Sequence, residues 1–401
     1  MIARIFIPVV VCILLPQLWL DLHYHRHWPK GRRALTWFVS LALIGYTAYL
    51  GWEPDFIPAN PLLLDIWFVL MAVLGVPPFV YAACSWVGWF IMKRLHGRHN
   101  WGKPLGMLLS VVAVFCFVYG FTRGVRNMEV KHLTLYVPDL PKQFEGYRIL
   151  QFSDIHLGSY YGWRDDLPQR DVDSINAQQA DMICFTGDLQ NVRPADIEPY
   201  VSLLRQLKAK DGVYSVLGNH DYSYYFNGTD TEKAINEKKL QRLEWQMGWR
   251  LLDNENVKIY RGSDSIFVVG TGNYEKPEHS DVAKSLRGIK SGSFVLMLQH
   301  NPKQWEETLP TAINKRQGLG FPQGLHAGDG KLLSPQLTLS GHTHAGQISV
   351  LGLRPTLFSA HDYGLYEKEG CLLYTTAGLG GVVPLRIGAT PEIVVFTLRR
   401  K

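Results

Sequence analysis

Five short polar clusters hold the residues of this chain best suited to chemistry. They are Ser153-Asp154-Ile155-His156, Gly187-Asp188, Gly218-Asn219-His220-Asp221, Gln299-His300 and Gly341-His342-Thr343-His344. Their donor atoms are carboxylate oxygen, imidazole nitrogen and one amide oxygen, a set that suits Mn, Fe or Zn. No cysteine lies among them, which argues against a closed structural zinc site. Two divalent ions roughly 3.5–4 Å apart need a shared anionic ligand, and together they clamp both oxygens of an in-line phosphoryl displacement while acidifying a water between them. Alone, Asp-x-His reads as a capped turn and Gly-Asp as a turn dipeptide. Their joint occurrence in this order is what carries the metal reading.

Something rigid must bring the five clusters together, and the pattern between them supplies it. From about residue 128, short apolar runs alternate with polar loops, as in an α/β domain. Residues 128–146 read as a strand followed by a turn at Pro138 and Pro141. Further strands are predicted at 147–152, 182–186, 213–217, 266–270, 294–298, 337–339, 372–375 and 393–398, and helices at 168–179, 195–208 and 232–247. Every polar cluster then falls on a loop at the carboxyl end of a strand, where open α/β sheets place their sites.

The ordered set D-x-H, G-D, G-N-H-D, H, G-H-x-H resembles the calcineurin-like metallophosphoesterase superfamily, over roughly residue 128 to the carboxyl terminus. The resemblance implies a double β-sheet sandwich flanked by helices (αββα). It also implies that Asp154, His156 and His344 bind one divalent metal, that Asn219, His300 and His342 bind a second, and that Asp188 bridges the two. His220 would stabilise the transition state or protonate the leaving group, with Asp221 orienting it. Phe144-Glu-Gly-Tyr-Arg-Ile149, the Gly341–Gln347 stretch and the ending around Gly378, Arg386 and Pro391-Glu392-Ile393 are similar to the bacterial membrane-associated branch. Ala345 stands where that branch more usually has glycine, and residues 311–331 are longer and richer in glycine than usual, reading as a lid or a surface loop. Relatives in that branch hydrolyse the pyrophosphate of UDP-diacylglucosamine or act on phospholipids. The substrate implied is therefore a lipid-linked or other small phosphorylated compound of the envelope, with a broad-specificity phosphatase or nucleotidase, or an inactive metal-binding scaffold, as the competing readings. Tyr160, Tyr161, Trp163, Tyr222, Tyr224, Tyr225 and Phe226 flank the metal loops and can border such a pocket or pack at an interface.

The first 121 residues follow different rules. They hold two thirds of the chain's 12 tryptophans and four apolar segments, 5–20, 34–51, 62–92 and 105–121. Most are near the roughly 20 residues that a membrane-crossing helix needs. The first lacks a small-residue cleavage site and reads as an uncleaved anchor. The third is long for one span and contains Pro77 and Pro78, which predicts a kink or a re-entrant break. The chain thus divides into a transmembrane region over 1–122, a linker and first strand over 123–146, and the phosphoesterase domain over 147–401.

Arg26, Lys30, Arg32 and Arg33 lie between the first two segments, and Lys93, Arg94, Arg98 and Lys103 between the last two, whereas 51–61 carries only Glu53 and Asp55. The positive-inside rule then puts the basic loops in the cytoplasm and the catalytic domain outside it, in a bacterial cytoplasmic membrane. Arg123, Arg126 and Lys131 argue the other way. Arg32-Arg33 marks a cytoplasmic flank rather than an export signal, and His23, His25 and His27 read as a solvated loop rather than a metal site. The net charge of +6 is mild and much of the basic charge sits beside apolar runs, which fits lipid headgroups or membrane topology better than a nucleic-acid stripe, so no nucleic-acid partner is expected. No obligate protein partner is indicated. Cys12, Cys84 and Cys116 lie in apolar runs, and Cys184 and Cys371 in strands. Buried free thiols are expected there.

Overall fold

A computed structural model of the chain describes residues 1–160, 162–310 and 333–401. Internal contacts divide it into two units, Met1–Arg123 and Gly124–Lys401.

The first unit is helical: α1 (Ile2–His23), α2 (Lys30–Trp52), α3 (Pro61–Leu70), α4 (Val76–Arg94) and α5 (Gly102–Tyr119). Four stretches are long and apolar enough to cross a membrane, namely Ile2–His23, Lys30–Trp52, Pro61–Arg94 and Gly102–Gly124. The third runs through α3 and α4, joined by a π-helical turn at Met71–Gly75 just before the two prolines. It is a single helix with a π-bulge rather than a re-entrant pair, because the wider turn relieves the clash of the proline rings. The carbonyl of Pro77 accepts a bond from Ser110 Oγ at 2.9 Å, which supplies a partner in a region without water. Several polar side chains of the bundle are likewise paired. Arg33 grips Asp21 with both arms (2.8 and 2.6 Å), and Trp67 Nε1 donates to Thr47 Oγ1 at 2.9 Å. His23 stacks on Trp19 and His25 on Trp28, so these two rings pack against aromatics.

In the second unit the strands are β1 (Glu129–Val137), β2 (Arg148–Phe152), β3 (Met182–Phe185), β4 (Val213–Ser215), β5 (Arg250–Leu251), β6 (Glu255–Arg261), β7 (Asp264–Gly270), β8 (Val295–Leu298), β9 (Leu337–Ser340), β10 (Gly364–Lys368), β11 (Cys371–Thr375) and β12 (Glu392–Arg400). They form two mixed six-stranded sheets, ordered β1-β12-β2-β3-β4-β5 and β10-β11-β9-β8-β7-β6. Strand residues alternate between two cores, as the pleat requires. Ile149, Met182, Cys184, Val394 and Phe396 meet Val268, Leu296, Leu339 and Tyr374 of the second sheet in the layer between the sheets. Leu150, Phe152, Ile183, Phe185, Ile393 and Val395 face the other way. There they pack with α6 (Leu167–Ala177) and α8 (Asp230–Met247), through Val172, Ile175, Leu240, Leu243 and Met247. Strands buried on both faces read as unbroken apolar runs, which is why the central ones were legible in the sequence.

Three strands and one helix depart from expectation. β5, β6 and β10 are additional, and all three are sheet-edge strands whose outward positions are charged or exposed. The helix read over 195–208 is broken into two 3₁₀ turns and the four-residue α7 (Val201–Leu204), because Pro199 has no N–H to continue an α-helical ladder from Ala195. The first strand expected after residue 128 is β1, which pairs in parallel with β12 over nine positions, from Glu129↔Glu392 to Val137↔Arg400. Cys184 and Cys371 are both buried and unbridged.

Candidate metal centre

Loops from both sheets converge at the carboxyl ends of their strands. β2 delivers Asp154 and His156, β3 Asp188, β4 the 219–221 triplet, β8 His300, and β9 His342 and His344. Backbone bonds knit these loops together. The amides of Asp154 and His156 donate to the carbonyls of Gly187 (2.9 Å) and Asp188 (3.2 Å), and Gly341 donates to His300 O at 3.0 Å. The approach leaves no room for a methyl group: a Cβ on Gly218 would lie 2.1 Å from Asp188 Oδ1, and one on Gly341 2.3 Å from Asp154 Oδ2. Asp154, His156, Asp188, His342 and His344 all have positive φ, between 52 and 76°. Such backbone costs on the order of 1–3 kcal/mol per residue and persists where packing over-determines it.

Two groups of donor atoms result. In the first, one donor atom each from Asp154, His156, Asp188 and His344 lies within 4.8 Å of all the others. In the second, Asn219 Oδ1 stands 3.1 Å from His300 Nε2 and 2.9 Å from His342 Nδ1, and the two nitrogens are 3.2 Å apart. Edges near 3 Å are those of ligands sharing one ion at about 2.1 Å from each. Asp188 touches both groups, its Oδ2 lying 3.5 Å from His156 Nε2 and 3.2 Å from His300 Nε2.

The electrostatics call for a cation. Both carboxylates are buried. Burial, opposed by His300 and reinforced by the nearby Asp188, raises the Asp154 carboxyl. For Asp188 burial works upward too, but the imidazoles of His300 and His220 outweigh it and hold the group well below the usual carboxylate range. Burial pushes His156 and His342 down to about 3, keeping them neutral with a lone pair to give. Both ring nitrogens of His156 and Nδ1 of His344 are buried without a hydrogen-bond partner, an expense that metal ligation would remove. His300 Nδ1 lies 2.8 Å from the Thr186 carbonyl. That bond sets the proton on Nδ1 and leaves Nε2 for an ion. The residues present therefore fit a pair of divalent ions.

His220 and Asp221 differ from expectation in one respect. The His220 ring stands edge-on to His156, centroids 4.7 Å apart, and against Tyr225 at 4.3 Å. Its Nδ1 is held by the carbonyl of Asn191 at 2.5 Å rather than by Asp221. The Asp221 carboxylate instead collects four backbone N–H groups, from Asp188 (2.7 Å), Gly218 (2.8 Å), Leu189 (2.9 Å) and Gln190 (3.2 Å). These four bonds clamp the loops after β3 and β4 together. Sequence reasoning gave no role to Asn191, Gln190 or Arg386. Gln190 donates to the carbonyl of His220 at 2.9 Å, and Arg386, fully enclosed, donates to the carbonyl of His344 at 3.1 Å. The polar pair Gln190-Asn191, one residue beyond Gly187-Asp188, was the available signal. Among the flanking aromatics, Tyr225 reaches the centre, accepting from Asn219 Nδ2 at 3.1 Å, while Tyr160 and Tyr222 are buried core residues. Tyr161 and the 311–331 segment lie outside the described residues.

Residues 147–346 match the calcineurin-like phosphoesterases. The chain is 26% identical to an uncharacterized metallophosphoesterase of Campylobacter jejuni over 84% of its own length and 83% of the relative's, and 29% identical to one of Bacillus subtilis over 77% and 99%. A zebrafish transmembrane protein with a metallophosphoesterase domain is 29% identical over 73% of this chain, which spans 62% of that relative's length. The second unit belongs to the calcineurin-like phosphoesterase family. The protein is a metal-dependent phosphoester hydrolase whose first unit associates it with a membrane.

The Asp221 clamp is testable. Asp221→Asn keeps one acceptor oxygen and leaves two of the four N–H groups facing an amide NH₂, so stability should fall by roughly 2–4 kcal/mol. A thermal melt of the detergent-solubilised protein reads the loss, and an unchanged midpoint would show that the clamp is idle.

Proposed function

We propose that the protein is a dinuclear phosphohydrolase cleaving a phosphodiester or pyrophosphate in a lipid-linked envelope substrate. Asp154, His156 and His344 would hold one ion and Asn219, His300 and His342 the other, with Asp188 between them. The observation that carries this reading is the contact of one Asp188 oxygen with an imidazole from each group, at 3.5 and 3.2 Å. Bound there, two divalent ions supply Lewis-acid charge for the phosphoryl oxygens and acidify a water. The chain's own part is to hold seven donors in a water-poor cleft and to place His220 beside them. With Nδ1–H donating to Asn191 O, the Nε2 edge of His220 is the one that stabilises developing charge or hands a proton to the leaving oxygen. Burial lowers the His220 pKa, and an anionic phosphate entering the cleft works against that shift and favours the imidazolium. Lipid-linked substrate is the reading that gives a membrane-length helical unit a reason to be joined to this site.

We also propose that the catalytic unit faces away from the cytoplasm. Eight Lys and Arg residues lie in or beside the two basic loops, and none in the acidic one. Arg126 and Lys131, which argue for the opposite side on sequence grounds, are taken up by Asp166 (2.8 Å) and Glu392 (2.7 Å) within the folded unit.

Asp188→Ala should abolish release of phosphate from a bilayer-borne diester and from a chromogenic diester, with metal content well below two per chain by mass spectrometry. His220→Ala should keep both ions and lose on the order of a hundredfold or more in rate. Retention of both metals by the first variant, or their loss from the second, overturns the respective role; wild-type preference for monoesters would replace the diester reading with a broad phosphatase.

Sidedness is read by fusing alkaline phosphatase or a fluorescent protein after Lys401. Phosphatase activity without fluorescence is expected. Fluorescence alone would place the site in the cytoplasm, on the leaflet where UDP-linked lipid precursors are made.

A further inference from the structure

Past the second histidine pair the chain forms a protruding loop that water alone does not explain. Over 348–358 the side chains of Ile348, Val350, Leu351, Leu353, Leu357 and Phe358 are all exposed; Leu351 is 99% and Phe358 98% accessible. Isolated exposed apolar residues need no explanation, but a contiguous set of this size marks an interaction surface. The tip is a tight turn in which Val350 and Leu353 exchange backbone bonds of 2.9 and 3.0 Å. Its central residues, Leu351 and Gly352, have φ of 52 and 82°. Such a turn favours Asn, Asp or Gly at both positions. Leucine at the first is disfavoured by backbone and by hydration together, so neither folding nor solubility accounts for it.

The base of the loop is firm. Ser349 N donates to Ile387 O at 2.6 Å and Ile387 N to Gln347 O at 3.0 Å. Arg354, the one charged residue in the loop, turns back to bind Asp362 (2.5 and 3.0 Å). The carbonyl of Asp362 in turn accepts from Thr343, the residue between His342 and His344. An apolar tip is thus rigidly continuous with the metal-facing turn.

Only residues 125–128 separate the last apolar stretch, ending at Gly124, from β1 at Glu129. A fully extended connection of that length reaches roughly 20 Å. A bilayer is therefore the apolar phase nearest to the second unit. We infer that the 348–358 loop is an interfacial anchor, seating Leu351, Leu353 and Phe358 at the boundary of headgroups and acyl chains and holding the metal centre beside the phosphates of that leaflet. The anchor does not depend on which phosphoester is cleaved.

The test uses the full chain in vesicles of phosphatidylethanolamine and phosphatidylglycerol. An environment-sensitive fluorophore is attached to Leu351→Cys and Phe358→Cys, with Glu255→Cys as a control and the signal of the native thiols subtracted from the unsubstituted chain. Nitroxide-bearing lipids should quench the probes at 351 and 358 and aqueous iodide should not, with the reverse at 255. Iodide quenching at all three positions overturns the anchor. So does protection from both quenchers, which would mean that protein covers the loop. The double variant Leu351→Ser/Phe358→Ser should hydrolyse a soluble chromogenic diester at the wild-type rate, which also reports correct folding. Its turnover of a bilayer-borne ester should fall roughly tenfold or more, since each large apolar side chain contributes about that factor to partitioning. If quenching shows insertion while the wild-type protein spares every lipid ester, the anchor stands and the lipid-substrate reading fails. The opposite pattern separates them the other way.

Discussion

Two buried carboxylates stand among five imidazoles and one amide oxygen, and three of the imidazole nitrogens are buried without a hydrogen-bond partner. Charges so placed are tolerable only with a compensating cation, and the surrounding structure serves that requirement. Burial keeps His156 and His342 neutral, while the carbonyl of Thr186 fixes which nitrogen of His300 is presented. Five of the seven proposed ligands occupy left-handed backbone. Relaxing any one of them would turn its side chain away from the centre, so the strain and the chemistry share a cause.

Holding that geometry falls to the sheets. Strands β2, β3, β4, β8 and β9 are buried on both faces, and each leads into a loop that carries a proposed ligand. Asp221 then ties the loop after β3 to the loop after β4 through four N–H bonds. Arg386 and Gln190 brace the histidine-bearing turns through their carbonyls. Charge-assisted bonds of this kind are worth more than neutral ones, which suits loops that must hold their shape before any ion arrives. The clamp does its work one step removed from the reacting atoms.

The first unit solves a different solvent problem. Inside a bundle sized for lipid, Asp21 finds Arg33, Trp67 finds Thr47, and the Pro77 carbonyl finds Ser110. Each pairing satisfies a group that hydrocarbon would leave stranded. One chain thus carries two folding regimes, joined through a few residues.

Much of the metal centre was legible before folding. Ligand types, their order and their position after apolar runs are local properties, and each run of Val, Ile, Leu and Phe between them announced a doubly buried strand. The four membrane-length stretches were legible for the same reason, since length and hydropathy are summed along the chain. Edge strands β5, β6 and β10 were not, because their outward charged residues erase the apolar signal that burial would otherwise leave. Tertiary structure alone decided the partners. Asp221 sits next to His220 in sequence, yet its carboxylate turns to the backbone of 188–190 and Gly218, and Asn191 takes the imidazole. Hydrogen-bond partners across loops depend on how two strands set their ends against each other, and adjacency in sequence carries no information about that.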